Sequence, residues 1–472
     1  MNRKSARFGA FPPLRAMIRS KATAWFDRAK PGILHVLHDR GGGTEKFVLE
    51  TIEQTRDAYR HYFLRIQNDR WRVTDPLKSP ELERDFRWRP APSDPGKLSH
   101  YDFLRTGAAA SEPWLSSVCA WLGIDLIHVH SLVGSDGDLL EAITAASIPY
   151  CYTAHDMYLP CPTVYLIDSD GKYCNATTDA ITCTRCLSAQ GMKGIDIEAW
   201  RARHSRFLTG ARQVWTPSEW ARGTLRTYFP CLVVDVAPPD GTPPIQHAPA
   251  HSLNGLQLPD DERRSIGMLG AIGPEKGARV IDAMVDRIRA RALPLRIVVI
   301  GYTDREQRFM SDDAVLAVHG HYRVPDITAL LDHYRVRLLA FPTIWPETFG
   351  YTLSEAWNAA RPAMVPPQGA LAERVTQSGA GWIIENWPQV DAMLDQCMHL
   401  TGPAGAHELD RRARLARSAA SALSDGSTHT DRYAGVLRDA PIVRHVDPAL
   451  RRIYEAASRA RESVESRHKL AC

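Results

Sequence analysis

Two glutamates that lie eight residues apart, Glu347 and Glu355, are the residues of this chain best placed to do chemistry. An apolar run precedes the first, a Phe-Gly pair lies between them, and an amphipathic stretch of helix-forming residues contains the second. This pattern predicts a strand, a loop that holds Glu347, and a helix with Glu355 two turns from its start. Eight helical residues span roughly 12 Å, about the length of a sugar joined to a phosphorylated ribose, and a helix N-terminus offers free N–H groups to phosphate. The alternative is an ordinary turn with two solvated glutamates.

Glycine-containing segments follow two of the other apolar runs, one in each half of the chain. Gly41, Gly42 and Gly43 precede a helix-forming stretch in the first half, and the segment Gly273–Gly277, which contains Lys276, does so in the second. Glycines at a strand-to-helix turn let the backbone approach a ligand and aim N–H groups at an anion. A lysine there could neutralise a departing diphosphate. The alternatives are a flexible turn and a solvated lysine.

Histidines stand at the carboxyl ends of two predicted strands. His155 follows the apolar run Tyr150–Ala154 and could hydrogen-bond a sugar hydroxyl, although a lone histidine is more often structural. His128 and His130 share one face of another strand, because side chains alternate along a strand. They could hold a metal, but a polar lining for an acceptor cleft is the favoured interpretation.

Short apolar runs alternate with amphipathic stretches of helical length, which is typical of parallel sheets covered on both faces. The strands predicted in the first half are Ile33–Leu37, Tyr62–Ile66, Leu126–His130, Tyr150–Ala154, Val214–Thr216 and Leu232–Val236. Those predicted in the second half are Ser265–Leu269, Leu295–Ile300, Val315–Val318, Val336–Phe341, Ala363–Val365 and Trp382–Ile384. The helices predicted in the second half lie near 278–292, 325–334, 349–360, 371–377 and 408–424.

A proline-rich stretch between the two sets of strands predicts a linker, so the expected fold class is α/β with two doubly wound, Rossmann-like domains facing each other across a cleft. The expected N-terminal domain covers residues 31–245, with a Cys-rich insertion at 158–187, and the C-terminal domain covers residues 246–440. A basic segment at 1–30 precedes them, and a helical tail at 441–472 follows.

The composition is that of a soluble globular protein, with 44% hydrophobic and 24% charged residues among 472. A net charge of +4 is too small to indicate a nucleic-acid partner. The apolar runs are shorter than the roughly 18 residues that span a bilayer, and a signal-peptide core is missing, so a cytoplasmic location is expected. Residues 1–30 contain eight Lys or Arg, one acid and interleaved aromatic residues. They predict either peripheral contact with the inner face of a membrane or a poorly ordered leader.

Four of the nine cysteines lie in the expected insertion: Cys161, Cys174, Cys183 and Cys186. Nine cysteines scattered over this length do not form a disulfide scaffold, and they fit a reducing compartment. The terminal Cys-x2-Cys pair suits a structural zinc site, whereas the irregular 12- and 8-residue gaps suit incidental cysteines. Both interpretations stay open.

Taken together, these motifs resemble the retaining GT-B glycosyltransferases of family 4. The matching motifs, in the family's order, are Gly-Gly-x-Glu at 42–45, His155-Asp156, Pro-Glu-Lys-Gly at 274–277 and Glu-x7-Glu at 347–355. The resemblance covers roughly residues 31–440. The stretches 269–274 and 344–349 are also similar to members that build bacterial surface polysaccharides of the rhamnan, mannan or O-antigen type.

The resemblance implies a role for each matching residue. It implies that His155 and Glu347 are the catalytic residues, with Glu347 holding sugar hydroxyls rather than acting as a nucleophile. The donor-binding residues that it implies are Gly42, Gly43, Lys276, Phe349, Gly350, Tyr351, Thr352 and Glu355. It also implies a front-face displacement with retention, and catalysis that needs no metal or other cofactor.

One departure from the family's pattern concerns phosphate binding. Many members have an arginine five residues before the lysine, where this chain has Ala271. The second phosphate-binding cation is therefore not identified by the resemblance. Arg279 and Arg323 are the candidates.

The predicted function is transfer of a hexose from a nucleotide-diphosphate sugar, preferably a GDP-sugar, to a growing surface polysaccharide or lipid-linked glycan. A nucleotide-sugar epimerase and a glycan phosphorylase use the same architecture and are kept as alternatives. A non-catalytic GT-B protein that binds a partner is a third alternative, and Ala271 is the feature that favours it.

Overall fold

The computed structural model describes residues 30–38, 41–67, 70–74, 89–90, 104–105, 111–135, 137–239, 255–422 and 429–438. The basic N-terminal segment before residue 30, with its expected membrane contact, lies outside the described residues. So do residues 240–254 of the expected linker and the expected C-terminal tail.

Among the described residues, the first domain contains nine strands, of which seven form its central sheet. The strands are β1 (Gly32–His38), β2 (Arg60–Gln67), β3 (Arg70–Thr74), β4 (Arg89–Pro90), β5 (Leu104–Arg105), β6 (Ile124–Val129), β7 (Tyr150–Thr153), β8 (Gln213–Thr216) and β9 (Asp235–Val236). The sheet order is β3-β2-β1-β6-β7-β8-β9, parallel except at β3, while β4 pairs with β5 alone. The helices are α1 (Gly43–Thr55), α2 (Ser111–Leu122), α3 (Gly137–Ala145), α4 (Ala180–Ala189), α5 (Ile197–Gly210) and α6 (Glu219–Tyr228).

The second domain repeats this plan. Its strands are β10 (Arg264–Ile272), β11 (Leu295–Thr303), β12 (Phe309–Met310), β13 (Leu316–Val318), β14 (Val336–Ala340), β15 (Ala363–Val365) and β16 (Gly381–Ile383). Their order is β12-β13-β11-β10-β14-β15-β16, parallel except at β12. The helices are α7 (Ala278–Ala290), α8 (Ile327–His333), α9 (Tyr351–Asn358), α10 (Gly369–Ser378), α11 (Val390–Thr401) and α12 (Ala406–Ala422).

Both sheets are buried on both faces, which explains why their strands are continuous apolar runs rather than alternating ones. In β11, Ile297 and Val299 pack in one apolar cluster, and Val298 and Ile300 pack in another on the opposite face. Because both apolar faces must be covered, helices lie on both sides of each sheet. Each sheet therefore presents its carboxyl edge, with its loops, as the place where a ligand can bind.

The last described helix, α13 (His429–Arg438), packs against the first domain. Tyr433 is 1% exposed and lies against the rings of Tyr59 and His128. The chain thus returns to the first domain after completing the second. Among the residues that the structure describes, no helix has the length and apolar character needed to cross a bilayer.

Candidate active site

Lys276 and Glu347, which come from distant parts of the sequence, lie together at the carboxyl edge of the second sheet. Lys276 ends the 3-10 turn that follows β10, and Glu347 lies in the loop after the neighbouring strand β14. Lys276 Nζ is 3.4 Å from Glu347 Oε1. The carboxylate of Glu347 raises the pKa of Lys276, so the lysine stays protonated at neutral pH. The pair offers a cation beside a hydrogen-bond acceptor.

The loop that presents Lys276 requires a glycine at its end. Gly277 has a φ of +93°, and a Cβ at this position would lie 1.9 Å from the carbonyl oxygen of Pro342. A side chain there would push the turn away from the loop that follows β14. The Pro-Glu-Lys-Gly motif is therefore explained by close backbone packing between the two loops.

Arg374 on α10, which belongs to none of the sequence motifs, holds the loop from Glu347 to Gly350 through hydrogen bonds. Arg374 is 7% exposed, and its Nη1 donates to the carbonyl oxygens of Phe349 and Gly350 at 3.0 and 2.9 Å. Its Nη2 donates to Ser354 Oγ at 2.8 Å. Burial lowers the pKa of Arg374 to about 9. An arginine whose partners are mainly backbone carbonyls leaves no recognisable spacing in the sequence.

Glu355 is buried, with 4% exposure, and it is held from both domains. Its Oε2 accepts a hydrogen bond from Tyr322 Oη at 3.0 Å, and its Oε1 lies 3.0 Å from Lys46 Nζ on α1. Burial, and then Glu355, raise the pKa of Tyr322, which keeps this phenol a hydrogen-bond donor. The helix begins at Tyr351, so Glu355 lies about one turn from its start and not two, as the sequence predicted. Gly350, with a φ of +80°, delays that start.

The glycine-containing loop of the first domain meets the second domain at Tyr351. A Cβ on Gly43 would lie 3.3 Å from the Tyr351 ring, and Lys46 Nζ is 4.7 Å from the centroid of that ring. Tyr351 Oη also donates to Glu50 at 3.3 Å. The start of α1 thus closes one side of the interdomain cleft. Gly42 and Gly43 belong to a sequence motif, whereas no motif points to Lys46.

Four further hydrogen bonds join the domains near the loop of Glu347. Ser218 Oγ, at the start of α6, donates to the Thr348 carbonyl at 2.8 Å, and Thr348 Oγ1 donates to the His155 carbonyl at 2.8 Å. Glu373 accepts from the backbone N–H groups of Glu219 and Trp220 at the N-terminus of α6. These contacts place His155 next to the loop that carries Glu347.

His155 and Asp156 follow β7 and have different surroundings. Burial lowers the pKa of His155 to about 3, so the imidazole is neutral at pH 7. Asp156 accepts from Ser131 Oγ and from the Tyr158 N–H at 3.1 and 2.9 Å, and burial raises its pKa to about 6. Asp156 therefore braces the turn after β7, while His155 faces the cleft.

His128 and His130 do not line an open cleft, because they are only 2% and 0% exposed. Their ring nitrogens, with those of His35, form the one group of three potential metal ligands within 4.8 Å that the described residues contain. The sequence suggested a cleft lining because it could not show that α13 covers these strands.

The two arginines named as candidates for a second phosphate-binding cation are paired elsewhere. Arg279 lies near Asp282 and Asp304, and Arg323 donates to Asp326. Their side chains are 60% and 76% exposed. The structure adds Lys46, which reaches Glu355 from the opposite domain, as a further candidate for the second phosphate-binding cation.

Three of the four cysteines of the insertion, Cys161, Cys174 and Cys183, lie in its small apolar clusters. Arg201 Nη2 lies 3.2 Å from Cys183 Sγ, Gln190 Nε2 lies 3.2 Å from Cys186 Sγ, and Cys161 Sγ lies 3.3 Å from Thr163 Oγ1. Burial raises the pKa of Cys161 and Cys174, and Cys183 adds to the effect in both. Zinc binding by this cluster remains a prediction.

A family model described as "Glycosyl transferases group 1" matches residues 263–402, which form most of the second domain. No match is found among curated proteins.

Solved structures of the same fold include HepE of Anabaena in complex with UDP and glucose, which is 13% identical with a TM-score of 0.53 over 86% of this chain and 99% of that one. Sucrose-phosphate synthase of Thermosynechococcus elongatus is 15% identical, with a TM-score of 0.57 over 87% of this chain and 98% of that one. A glycosyltransferase of Rickettsia africae is 11% identical, with a TM-score of 0.53 over 88% and 100%. The likeness confirms the predicted fold: two parallel-sheet, Rossmann-like domains in the arrangement of GT-B glycosyltransferases.

Proposed function

We propose that this protein is a retaining glycosyltransferase that moves a hexose from a nucleotide-diphosphate sugar to a surface polysaccharide or lipid-linked glycan. The observation that carries the proposal is the meeting of Lys276 and Glu347, 3.4 Å apart, in an interdomain cleft that also holds Glu355. The match of residues 263–402 to group 1 glycosyl transferases supports the same reaction class.

The proposed chemistry uses charges that are fixed before the donor arrives. Lys276 opposes the negative charge that grows on the departing diphosphate, and Glu347 accepts hydrogen bonds from sugar hydroxyls and stabilises positive charge on the ring. Glu355 accepts hydrogen bonds from the ribose. The backbone from Phe349 to Thr352, at the start of α9, supplies N–H groups to the sugar and phosphate. No step requires a metal ion.

The preferred donor is a GDP-sugar, on the resemblance of the sequence to enzymes of surface-polysaccharide synthesis. HepE of Anabaena has been solved with UDP, so UDP-sugars are the competing choice. Thermal stabilisation by GDP-, UDP- and dTDP-sugars separates them, because a ligand at 100 times its dissociation constant adds about 2.7 kcal/mol of stability. Stabilisation by a UDP-sugar alone would replace the GDP assignment.

Glu347→Gln is the variant that tests the function. It keeps the shape of the side chain but removes the charge beside Lys276, so we expect the transfer rate to fall about a hundred- to thousandfold while the protein stays folded. Glu262→Gln, at an exposed glutamate of the same domain, is the matched control. Transfer by Glu347→Gln at the wild-type rate would end the role of Glu347.

Two controls in the same assay separate the alternatives. Turnover of donor without any acceptor would indicate an epimerase, and a requirement for inorganic phosphate would indicate a phosphorylase. Failure to bind any nucleoside diphosphate by calorimetry would favour a binding protein.

The Cys-rich insertion provides a separate prediction about metal content. If Cys161, Cys174, Cys183 and Cys186 hold a structural zinc, about one per chain is expected, and their sulfurs must come closer together than the described residues place them; incidental cysteines are the alternative. Elemental analysis of protein purified without chelator measures the zinc content, with Cys186→Ser as the variant that should lose the metal. A content below about 0.2 zinc per chain would contradict the prediction.

A further inference from the structure

A chain of hydrogen bonds runs through the first domain from α1 to the cleft. Thr55 Oγ1 is 3.1 Å from His61 Nε2, and His61 Nδ1 is 3.0 Å from His35 Nε2. His35 Nδ1 is 3.0 Å from His130 Nε2, and His130 Nδ1 is 3.1 Å from His155 Nε2. Four imidazoles in series therefore connect a helical threonine to the histidine that faces the candidate active site.

The Thr55 hydroxyl sets the donor-to-acceptor direction of every hydrogen bond in this series. Thr55 Oγ1 donates its hydrogen to the Thr51 carbonyl at 2.5 Å, so it can only accept from His61. His61 must then carry its proton on Nε2, and its bare Nδ1 must accept from His35. A neutral imidazole has one N–H and one lone pair, so the same assignment passes from ring to ring.

The series of hydrogen bonds ends on His155. His155 Nε2–H donates to His130, which leaves His155 Nδ1 with a lone pair. That nitrogen has no hydrogen-bond partner among the residues that the structure describes, and it is not one of their buried unpartnered atoms. It is therefore open to the cleft, next to the loop of Glu347.

A metal ion is the competing explanation for so many buried histidines. His35, His128 and His130 come close enough to share one. However, all six of their ring nitrogens already have protein partners, because His128 bonds to Tyr433 Oη and Thr153 Oγ1 at 2.8 Å. A fully satisfied network has no lone pair left for a metal.

We infer that Thr55, His61, His35 and His130 are positioning residues that hold His155 as a hydrogen-bond acceptor toward the cleft. The site then selects a ligand group that donates a hydrogen, of the class of an alcohol O–H. That this group is a hydroxyl of a sugar rests on the proposed function. The tautomer itself does not.

Imidazole ¹⁵N NMR of protein labelled with ¹⁵N-histidine measures the tautomer without any ligand. His155→Gln identifies the signals of His155 by their loss. In the wild type, we expect Nδ1 of His155 in the spectral region of bare nitrogens and Nε2 in that of protonated nitrogens. A protonated Nδ1 in the wild type would overturn the inference, and so would one equivalent of bound metal that His128→Gln removes.

Thr55→Val and Thr55→Ser form the matched pair of variants. Valine keeps the shape of threonine but cannot accept a hydrogen bond from His61. The tautomers of the four imidazoles are then no longer fixed, and we expect a protonated fraction to appear at His155 Nδ1. Thr55→Ser should restore the wild-type spectrum. An unchanged His155 spectrum in folded Thr55→Val would overturn the inference.

The same pair separates this inference from the proposed function. If the inference and the proposed function both hold, Thr55→Val raises the KM for the donor about fivefold and keeps kcat within about twofold of the wild-type value. Thr55→Ser restores the wild-type KM. A bare Nδ1 in a protein that transfers no sugar would leave the inference standing and end the proposed function. Sugar transfer by a protein whose His155 Nδ1 is protonated would overturn the inference and leave the proposed function standing.

Discussion

Arg374 is a buried cation whose hydrogen bonds hold the loop between Glu347 and α9. Its guanidinium lies 4.2 Å from the centroid of the Phe349 ring and 4.9 Å from that of Trp357. Its Nε is buried without a partner among the described residues. The cost of that burial is offset by the three hydrogen bonds that Nη1 and Nη2 donate.

Arg374→Met should destabilise the protein by about 3 kcal/mol, because the carbonyls of Phe349 and Gly350 would lose their donors in a buried place. Urea denaturation measures this free energy of unfolding. Arg337→Met is the control, since Arg337 forms an exposed ion pair with Asp410 and should change stability little. Equal stability of the two variants would show that Arg374 is not needed to hold the loop.

Sequence reasoning found the residues that recur in a motif and missed those that act through another part of the fold. Glu347, Glu355 and Lys276 stand at fixed distances from glycines and apolar runs, so their place at a sheet edge could be predicted. Arg374 and Lys46 act on carbonyls or on the opposite domain. Neither has a local pattern that distinguishes it from a solvated cation on a helix.

Among the elements, the strands were the easiest to predict, because burial on both faces makes them short apolar runs. All twelve predicted strands are found, with ends that differ by a few residues. The antiparallel edge strands β3 and β12, the short paired strands β4 and β5, and the helix α11 were missed. Edge strands of two to five residues bury too little apolar surface to leave such a run.

The buried histidines of β1 and β2 predict how the stability of the protein depends on pH. Burial lowers the pKa of His61 to about 4 from an ordinary value of 6.5, so the folded state binds fewer protons than the unfolded state between these values. Stability is therefore fully present above pH 6.5 and is lost as the pH falls toward 4. His61 alone should account for roughly 2 kcal/mol of loss between pH 7 and pH 5.

Urea denaturation at these two pH values measures that loss. His61→Gln should show a smaller pH dependence than the wild type, by roughly 2 kcal/mol. His407→Gln, at an exposed histidine on α12, should keep the wild-type dependence. An equal pH dependence in all three proteins would mean that the first domain accommodates a charged His61.

For the whole molecule, the two-domain plan followed from the restart of the strand pattern after the proline-rich stretch. The contacts between the domains did not. Ser218 with Thr348, and Lys46 with Glu355, join residues more than a hundred positions apart. One sequence contains no information on which surface loops of two folded domains will meet, and the return of α13 to the first domain was hidden for the same reason.

Lys46 is a cation that joins the two domains beside the proposed donor site. It comes from the first domain, pairs with buried Glu355, and has a side chain that is 26% exposed. If the proposed function holds and ribose hydroxyls engage Glu355, the ammonium would be free to meet the diphosphate and would supply the second cation that Ala271 cannot. We expect Lys46→Met to weaken the binding of UDP or GDP about tenfold, because one positive charge near the two phosphate groups is lost.

Calorimetry with UDP and GDP measures this effect, with Lys193→Met at an exposed lysine between α4 and α5 as the control. The salt dependence adds a second criterion, because binding to the wild type should weaken more steeply with ionic strength than binding to Lys46→Met. Binding that is unchanged or tighter in Lys46→Met would mean that the lysine competes with the ribose for Glu355. In that case Lys46 is only a latch between the domains, and the diphosphate is held by Lys276 and backbone N–H groups alone.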